Sequence, residues 1–331
     1  MQVKDIGEQG LLRILQKFCP AEIVGDDCAV MPTTPNQSLA ITTDMLVDGV
    51  HFSDRTTGPY YAGWRAAAAN LSDLAAMGAK PLAVTVALAV AADTAVEWVE
   101  EFYRGMTACL QEYDTPIVGG DVVRSPVVTV AITAFGEVEC DHTISRSNAR
   151  SNWAIVATGV HGASRAGLEL LLNPEFGQNL EKVDRASLIL AHQCPKPRLD
   201  VLPVVWEILD SAGEFSIAGM DSSDGLADAI IQICRASGVG AKVDRTKIPI
   251  PHVFSEIVST EKALDWALYG GEDFELVLFL PITSAQLLVE KIGNRAAIVG
   301  TATESTDIWL TDSSGIYSDA ILKLDQGFQH F

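Results

Sequence analysis

The sequence predicts a mixed α/β protein, α+β in arrangement and built as two domains, and three observations carry that prediction. The chain has 331 residues, more than one hydrophobic core usually serves. Helical and strand-like periods alternate through both halves without a strict βαβ repeat, so antiparallel pairing accompanies parallel pairing. At CDHTISRSNARSN (140–152) the composition turns polar and basic, which places a boundary between a first domain, 1–145, and a second, 146–331.

In the first half, DIGEQGLLRILQKF (5–18) has the spacing of a short helix stopped by Pro20, and GDDCAVM (25–31) turns into a first strand. SLAITTD (38–44) alternates as a second strand ending at Asp44. The Ala-rich run from Tyr60 to Met77 is strongly helical, with Gly78 just past its end and Pro81 beyond. Asn70 and Asp73 lie three apart on it, hence on one face. LAVTVALAV (82–90) has so little polar content that both faces of this strand are expected to be covered, by helices or by a second subunit. Helix 94–113 carries Val96, Val99, Tyr103, Met106 and Leu110 at helical spacing. TPIVGGD (115–121) reads as strand, glycine turn and acid, and VVTVAITAFGEV (127–138) as a strand.

The second half opens with the strand WAIVATG (153–159), and HGAS then leads into helix 165–172 with Ser164 as its N-cap. Helices follow at 184–193 and 199–211. A strand enters SIAGMDSSD (216–224), and helix 225–237 closes at Gly238. AKVD (241–244) and FELVLFLP (274–281) are strands around helix 260–268. The helix TSAQLLVEKIG and the strands AAIVGTA and IWL complete the pattern.

Composition excludes several functions. The net charge of −20 argues against nucleic acid or an anionic membrane surface, both of which are bound through excess Lys and Arg. The longest apolar stretch, PLAVTVALAVAA (81–92), is too short to span a bilayer. No basic region followed by an apolar one opens the chain, so no secretion signal is expected. The six cysteines, Cys19, Cys28, Cys109, Cys140, Cys194 and Cys234, lack CxxC spacing. That pattern suits reduced thiols in a cytoplasm.

One grammar recurs: an apolar run, then an acid. It appears in GDDCA (25–29), ITTD (41–44), NLSD (70–73), VGGD (118–121), GMDSSD (219–224) and YGGED (269–273). Two carboxylates three apart where a strand yields to a helix lose water and repel each other, by about 4 kcal/mol at roughly 4 Å and an effective dielectric of about 20. Each single Asp in such a place also serves as a helix cap or turn former; their repetition after apolar runs points to a shared cation. GxxxxGK[ST], a kinase-type glycine loop with its lysine, HExxH and triad elbows are all missing. What the sequence offers instead is carboxylate and hydroxyl oxygen: Asp26, Asp27, Thr42, Thr43, Asp44, Asp73, Asp121, Asp221, Ser223 and Asp224. Oxygen-only ligand sets select hard cations, Mg2+ above zinc or copper. In so acidic a chain Arg146 and Arg150 stand out: either one decorates a loop, or, as an arginine at a hinge beside an acidic cleft, it serves as a phosphate ligand.

GDDCAV, ITTDMLVDGVHF, NLSDLAAMGA, GGD, the SR of 145–146, DSSDGL and YGGEDFEL stand in the order and at about the spacing of the thiamine-monophosphate kinase family, which this chain resembles over essentially its whole length. That family falls within the aminoimidazole-ribonucleotide synthetase-like ATP-binding superfamily. The resemblance implies an N-terminal domain that binds ATP and Mg2+ and pairs across a homodimer. It implies a C-terminal domain that completes an active-site cleft, and a cytoplasmic enzyme passing the γ-phosphate of ATP directly to thiamine monophosphate. Carried over motif by motif, it implies an Mg2+ shell of several ions on Asp27, Thr42, Thr43, Asp44, Asp73, Asp121, Asp221 and Asp224, with Asp44, Asp121 and Asp221 catalytic. Tyr103, Gly120, Asp121, Arg146 and Ser223 would meet ATP, and His51, Glu272 and Phe328 thiamine monophosphate. A permanent thiazolium charge suits an acidic Glu272 and an aromatic Phe328. No nucleic acid or membrane partner is expected.

The chain departs from the family pattern twice. It has GGDVV where GGDTT is usual, so Val122 and Val123 replace hydroxyls, and Arg165 stands where a small residue is commoner. Three other readings use the same residues: a sister synthetase on the same ATP-binding fold, an Mg2+-dependent phosphohydrolase with water as acceptor, and a nucleotide-binding module without turnover.

Overall fold

The computed structural model describes residues 1–20, 31–214, 216–293 and 295–324. The chain divides into two compact units, one of Met1–Leu74 and Ala79–Cys140, the other of Ala75–Gly78 and the residues from Asp141 onward.

In the first unit, α1 (Val3–Leu15) is interrupted at Gly7, where φ is 63° and ψ −178°, and tightens into a 3-10 turn over Gln16–Phe18. After β1 (Gln37–Val47) comes α2 (Pro59–Ala76). Its end closes as a Schellman turn: Gly78, at φ 75°, donates to the Ala75 carbonyl at 3.0 Å, and Ala79 to that of Leu74 at 2.9 Å. Then follow β2 (Lys80–Val90), α3 (Val96–Gln111), β3 (Ile117–Arg124) and β4 (Thr129–Glu139). The described strands of this unit form a sheet in the order β1-β4-β2-β3. β2 and β3 run parallel and the other neighbours antiparallel.

Two sequence expectations change here. β1 does not stop at Asp44 but continues to Val47, with Asp44 paired in register with Ile132. The Gly-Gly pair at 119–120 is no turn: β3 runs straight through it, and a Cβ on Gly120 would stand 2.1 Å from the Val86 carbonyl oxygen. Glycine is therefore demanded by the close approach of two strands. The strand expected at 25–31 falls largely outside the described residues.

The sheet is covered unequally. Val84, Val86, Leu88 and Val90 of β2 are buried, with Ile132 and Ala134 of β4 beside them. The opposite face remains open: Leu39, Ile41 and Met45 are 49%, 60% and 56% exposed, and Val123 on β3 is 52% exposed. Among the described residues, β2 is thus covered on one face only.

The second unit contains β5 (Ala154–Ala157), α4 (Ala163–Leu172), α5 (Lys182–Gln193) and α6 (Leu202–Ala212), the last entered through a 3-10 turn at Arg198–Val201. β6 (Ala218–Asp221), α7 (Leu226–Ser237), β7 (Gly240–Asp244), α8 (Phe254–Ile257) and α9 (Thr260–Tyr269) follow. β8 (Leu276–Leu280), α10 (Ile282–Ile292), β9 (Ala297–Thr303), β10 (Ile308–Thr311) and β11 (Ala320–Ile321) complete the described chain. Their sheet has the order β11-β10-β7-β9-β5-β8-β6, antiparallel except for the β10–β7 pair.

β8, the continuous apolar run LVLFL, shows why that run needs no alternation. Val277 and Phe279 pack with Ile230 and Ile233 of α7 on one face, and Leu276 and Leu278 with Val205 and Ile208 of α6 on the other. Each such buried side chain contributes about 1.5–3 kcal/mol of transfer free energy. The ends of β6 and β8 are thereby fixed, and both deliver polar loops at the same edge. No helix among the described residues is long and apolar enough to cross a membrane.

Candidate active site

In the first unit, β1 and α2 bring three of the expected oxygen ligands together. The Thr42 hydroxyl donates to the Asp73 carboxylate, and the Asp44 amide donates to Asn70 Oδ1 at 3.2 Å. Asn70 is fully buried and anchored by its own Nδ2, which donates to the Ala66 carbonyl at 3.0 Å. Period-two alternation puts the Thr42 and Asp44 side chains on the face covered by α2.

Thr43 and Asp121 lie on the other face. The Thr43 hydroxyl is 2.8 Å from that of Thr133 across the strand pair. Asp121 is in register with exposed Ala87, which pairs in turn with Ala131 and, across β4, with Met45. In one chain, therefore, the side chains of Asp44 and Asp121 are separated by the sheet itself. Gly120 lies beside Asp121 on an exposed stretch of β3. Tyr103 is 3% exposed, packed in α3 with its ring centroid 5.5 Å from Phe18 and 6.1 Å from Phe102, and burial raises its phenol pKa. Its place is the packed side of the helix. His51 folds over its own turn, its Nδ1 accepting from the Val47 amide at 3.1 Å. Asp26, Asp27 and Phe328 lie outside the described residues.

In the second unit, DSSDGL and GGEDFEL are pressed together. The Glu272 amide donates to the Ser223 carbonyl at 2.7 Å, and the Ser222 amide to that of Glu275 at 2.8 Å. A Cβ on Gly271 would stand 2.5 Å from the Ser223 carbonyl oxygen, so only glycine permits this contact. Glu272 itself adopts φ 68°, a left-handed conformation that costs a non-glycine residue on the order of 1 kcal/mol or more and recurs where function fixes a side chain. Asp221 is 2% exposed and accepts from the Ser223 hydroxyl at 3.0 Å, while Asp224 is exposed at the start of α7. One turn on, burial and the charge of Asp224 raise the carboxyl pKa of Asp228, against the pull of Arg146 and Arg235. Arg146 thereby acts on Asp228, one turn past the DSSD loop, and its carbonyl is held by Ser237 at 2.8 Å.

Behind these loops runs a buried polar network whose members sequence reasoning left unassigned. Asp273, and not Ser164, caps α4: its carboxylate accepts from the amides of Gly162 at 2.6 Å and Ser164 at 2.8 Å. Gly162 is the capping residue, with φ 88°. Glu275 accepts from the Thr158 hydroxyl at 2.6 Å and from Arg198. His161 Nδ1 meets the Gly159 carbonyl at 3.1 Å and its Nε2 the Ser222 hydroxyl at 3.1 Å. His192, also buried, lies 3.1 Å from the Ser164 hydroxyl and 3.7 Å from a Glu272 carboxylate oxygen. Arg165 bonds Glu169 at 2.9 Å and lies 5.8 Å over the Trp266 ring, which accounts for its departure from a small residue. For Val122 and Val123 the described contacts give no compensating group.

Two of these groups titrate in opposite senses. Burial lowers His161 to about 4 from 6.5. Its folded pKa is depressed, so its contribution to stability is complete above pH 6.5 and is lost as pH falls toward 4. At about 1.4 kcal/mol per unit this amounts to about 3 kcal/mol. Burial raises Asp273 to about 7 from 3.8; its contribution is present below 3.8 and lost as pH rises to 7. Because the Asp273 contribution grows over the same interval, the test is a difference: on going from pH 7 to pH 5 the melting temperature of His161→Gln should rise relative to that of the parent, and an unchanged difference would remove His161 from this role.

The donor set in both units, carboxylate and hydroxyl oxygens with no thiolate or imidazole among Thr42, Asp44, Asp73, Asp221, Ser223 and Asp224, fits hard divalent cations. Residues 25–138 match the family model described as AIR synthase related protein, N-terminal domain. The thiamine-monophosphate kinase of Synechococcus elongatus is 48% identical over 329 residues, covering 99% of this chain and 98% of that protein. The crystal structure of thiamine-monophosphate kinase from Stenotrophomonas maltophilia is 31% identical, with a TM-score of 0.76 over 86% of this chain and 88% of the other. The structure of AaThiL complexed with AMPPCP and TMP is 29% identical, with a TM-score of 0.72 over 97% and 98% of the two chains. Identity of this extent, spanning every motif from NLSD to GGEDFEL, means that the chain belongs to the thiamine-monophosphate kinase family.

Proposed function

We propose that this protein transfers the γ-phosphate of ATP to the phosphate of thiamine monophosphate, giving thiamine diphosphate and ADP. The 48% identity along the full chain carries the reading, and the AaThiL complex with AMPPCP, an ATP analogue, and TMP supports the two substrates. An oxygen of the acceptor phosphate forms the new bond to Pγ as the bond from Pγ to the bridging oxygen breaks, and ADP leaves.

Thr42, Asp44 and Asp73 in the first unit, and Asp221, Ser223 and Asp224 in the second, are the groups that would hold Mg2+; Asp27, Thr43 and Asp121 complete the proposed set. When bound, Mg2+ offsets the mutual repulsion of the two phosphate groups. Arg146 adds a fixed positive charge for the nucleotide phosphates, with Tyr103 and Gly120 the other proposed ATP contacts. Glu272, held in its left-handed conformation, gives the thiazolium a carboxylate, and His51 and Phe328 are its proposed companions. Positioning of two reactants supplies most of the rate in such a transfer. A cytoplasmic site suits the substrate ATP and the free thiols of the described cysteines.

The same reading includes a homodimer formed through the first unit. Leu39, Ile41, Met45 and Val123 leave an apolar sheet face open, and Asp121, on that face, is divided from Asp44 of its own chain by the sheet. Pairing two such faces would cover the first and bring Asp121 within reach of a second copy. Light scattering should give twice 35.4 kDa at micromolar concentration, and Ile41→Lys should give the monomer mass. A monomeric parent would contradict the pairing.

The phosphohydrolase reading makes a different prediction for the reaction itself. ADP release should depend on added thiamine monophosphate; equal release without it would favour water as the acceptor.

A further inference from the structure

The loop carrying Asp221, Ser223 and Asp224 is held from behind by a side chain that is itself closed off from solvent. His161 is fully buried. Its Nδ1 faces the Gly159 carbonyl at 3.1 Å, an oxygen that only accepts, so the ring proton sits on Nδ1. Nε2 is then a bare lone pair, and the Ser222 hydroxyl at 3.1 Å donates to it. The tautomer is set by geometry, and the bond has one direction.

Both ends of this chain are themselves anchored. The backbone on the histidine side is fixed by the Leu276 amide, which donates to the Thr158 hydroxyl at 2.8 Å, and by Arg198, which donates to the Thr158 carbonyl at 2.9 Å. The His161 amide donates to the Pro249 carbonyl at 2.9 Å. A Cβ on Gly159 would stand 2.0 Å from a Glu275 carboxylate oxygen, so a side chain there would push that carboxylate from its place against Thr158 and Arg198. On the loop side, Ser222 is 1% exposed, and its amide is bound to the Glu275 carbonyl. Ser222 lies between Asp221 and Ser223, whose side chains are joined at 3.0 Å.

We infer that His161 is a positioning residue. Through the Ser222 hydroxyl it fixes the DSSD loop so that Asp221 and Asp224 stand ready for a divalent cation before the cation arrives. The inference rests on the assignment of those carboxylates to Mg2+ in the proposed reaction. Outer partners of metal-binding groups act in this way, by removing the alternative orientations that a flexible loop would sample.

The test uses the full-length protein with Mn2+ as a paramagnetic probe and AMPPCP as the nucleotide, so it does not depend on turnover. His161→Leu removes both ring nitrogens, Ser222→Ala removes the loop-side donor, and His161→Gln keeps an acceptor for Ser222. His161→Leu and Ser222→Ala should each weaken Mn2+ binding, read by electron paramagnetic resonance, by about tenfold. Both should also speed amide hydrogen exchange over residues 221–225 in the metal-free protein. His161→Gln should restore most of the affinity. Should His161→Leu not fold, the comparison of Ser222→Ala with the parent decides the matter by itself. Unchanged Mn2+ affinity and unchanged loop exchange, alongside a lowered melting temperature, would make His161 a residue of the packing alone and overturn the inference. Parent protein that binds Mn2+ and AMPPCP but makes no thiamine diphosphate would sink the reaction and leave the positioning role to be judged on the variants.

Discussion

Asp44→Asn is expected to lower kcat by about 10²-fold or more while leaving the melting temperature close to that of the parent. The substitution keeps the shape and removes the charge. Its site is well defined: Asp44 lies inside β1, in register with Ile132, with its amide held by buried Asn70 and with Thr42 and Asp73 beside it. Because the strand continues to Val47, a turn-forming role no longer explains this carboxylate. What remains is a negative charge on an edge strand beside the proposed oxygen ligands, and neutralising it would remove attraction for the cation that the proposed transfer uses. Measuring kcat and thermal stability on one preparation separates the roles, since an active but less stable variant would mean that Asp44 serves the fold.

Arg198→Met should have the largest effect on stability. Arg198 donates to Glu275, to the Thr158 carbonyl at 2.9 Å and to both Asp200 oxygens at 2.9 and 3.1 Å, and its side chain is 14% exposed. Burial raises the Glu275 carboxyl pKa even with Arg198 opposing it. Removing the guanidinium leaves a buried carboxylate with the Thr158 hydroxyl, and breaking buried pairs from one side costs about 3–5 kcal/mol. The double variant Arg198→Met with Glu275→Gln should recover most of that loss, because no uncompensated charge is left. Denaturant midpoints measure both. A single variant that loses less than about 1 kcal/mol would show the pair to be solvated like a surface ion pair.

The order of elements was legible in the sequence because periodicity and punctuation agree locally. α2 follows from its alanines and Gly78, α7 from its apolar stripe and Gly238, and β8 from an apolar run too short for a helix. Three local signals pointed elsewhere. Gly119 and Gly120 read as a turn because glycine usually breaks strands, whereas here the strand runs through both and, at Gly120, the neighbouring Val86 carbonyl leaves no room for a Cβ. Ser164 reads as an N-cap, but a stronger acceptor, Asp273, arrives from 109 residues away. Asp44 reads as a strand end because an acid follows two threonines, yet the pairing with β4 carries on past it.

The carboxylates of the candidate site were legible by repetition, since acid after apolar run recurs more often than caps and turns require. The sequence did not say which face each would occupy. Thr42 and Thr43 are neighbours with opposite directions, and Asp121 shares a face with Met45 and not with Asp44, which only register reveals. His161 and His192 escaped notice, and Asp273 was noticed only as one acid of YGGED and not as a cap, because their partners lie far along the chain, 61 residues in the case of Ser222. A lone histidine two residues past a strand-ending glycine has no local pattern to announce it. Asp27 and Phe328 rest on motif and position alone.

The central claim is that the phosphate of thiamine monophosphate, and not water, receives the γ-phosphate. It is tested most directly by supplying γ-32P-ATP, Mg2+ and thiamine monophosphate and separating the products by chromatography. Label recovered in thiamine diphosphate, with ADP formed in equal amount, is the predicted result; label recovered as inorganic phosphate, with thiamine monophosphate unchanged, would contradict it.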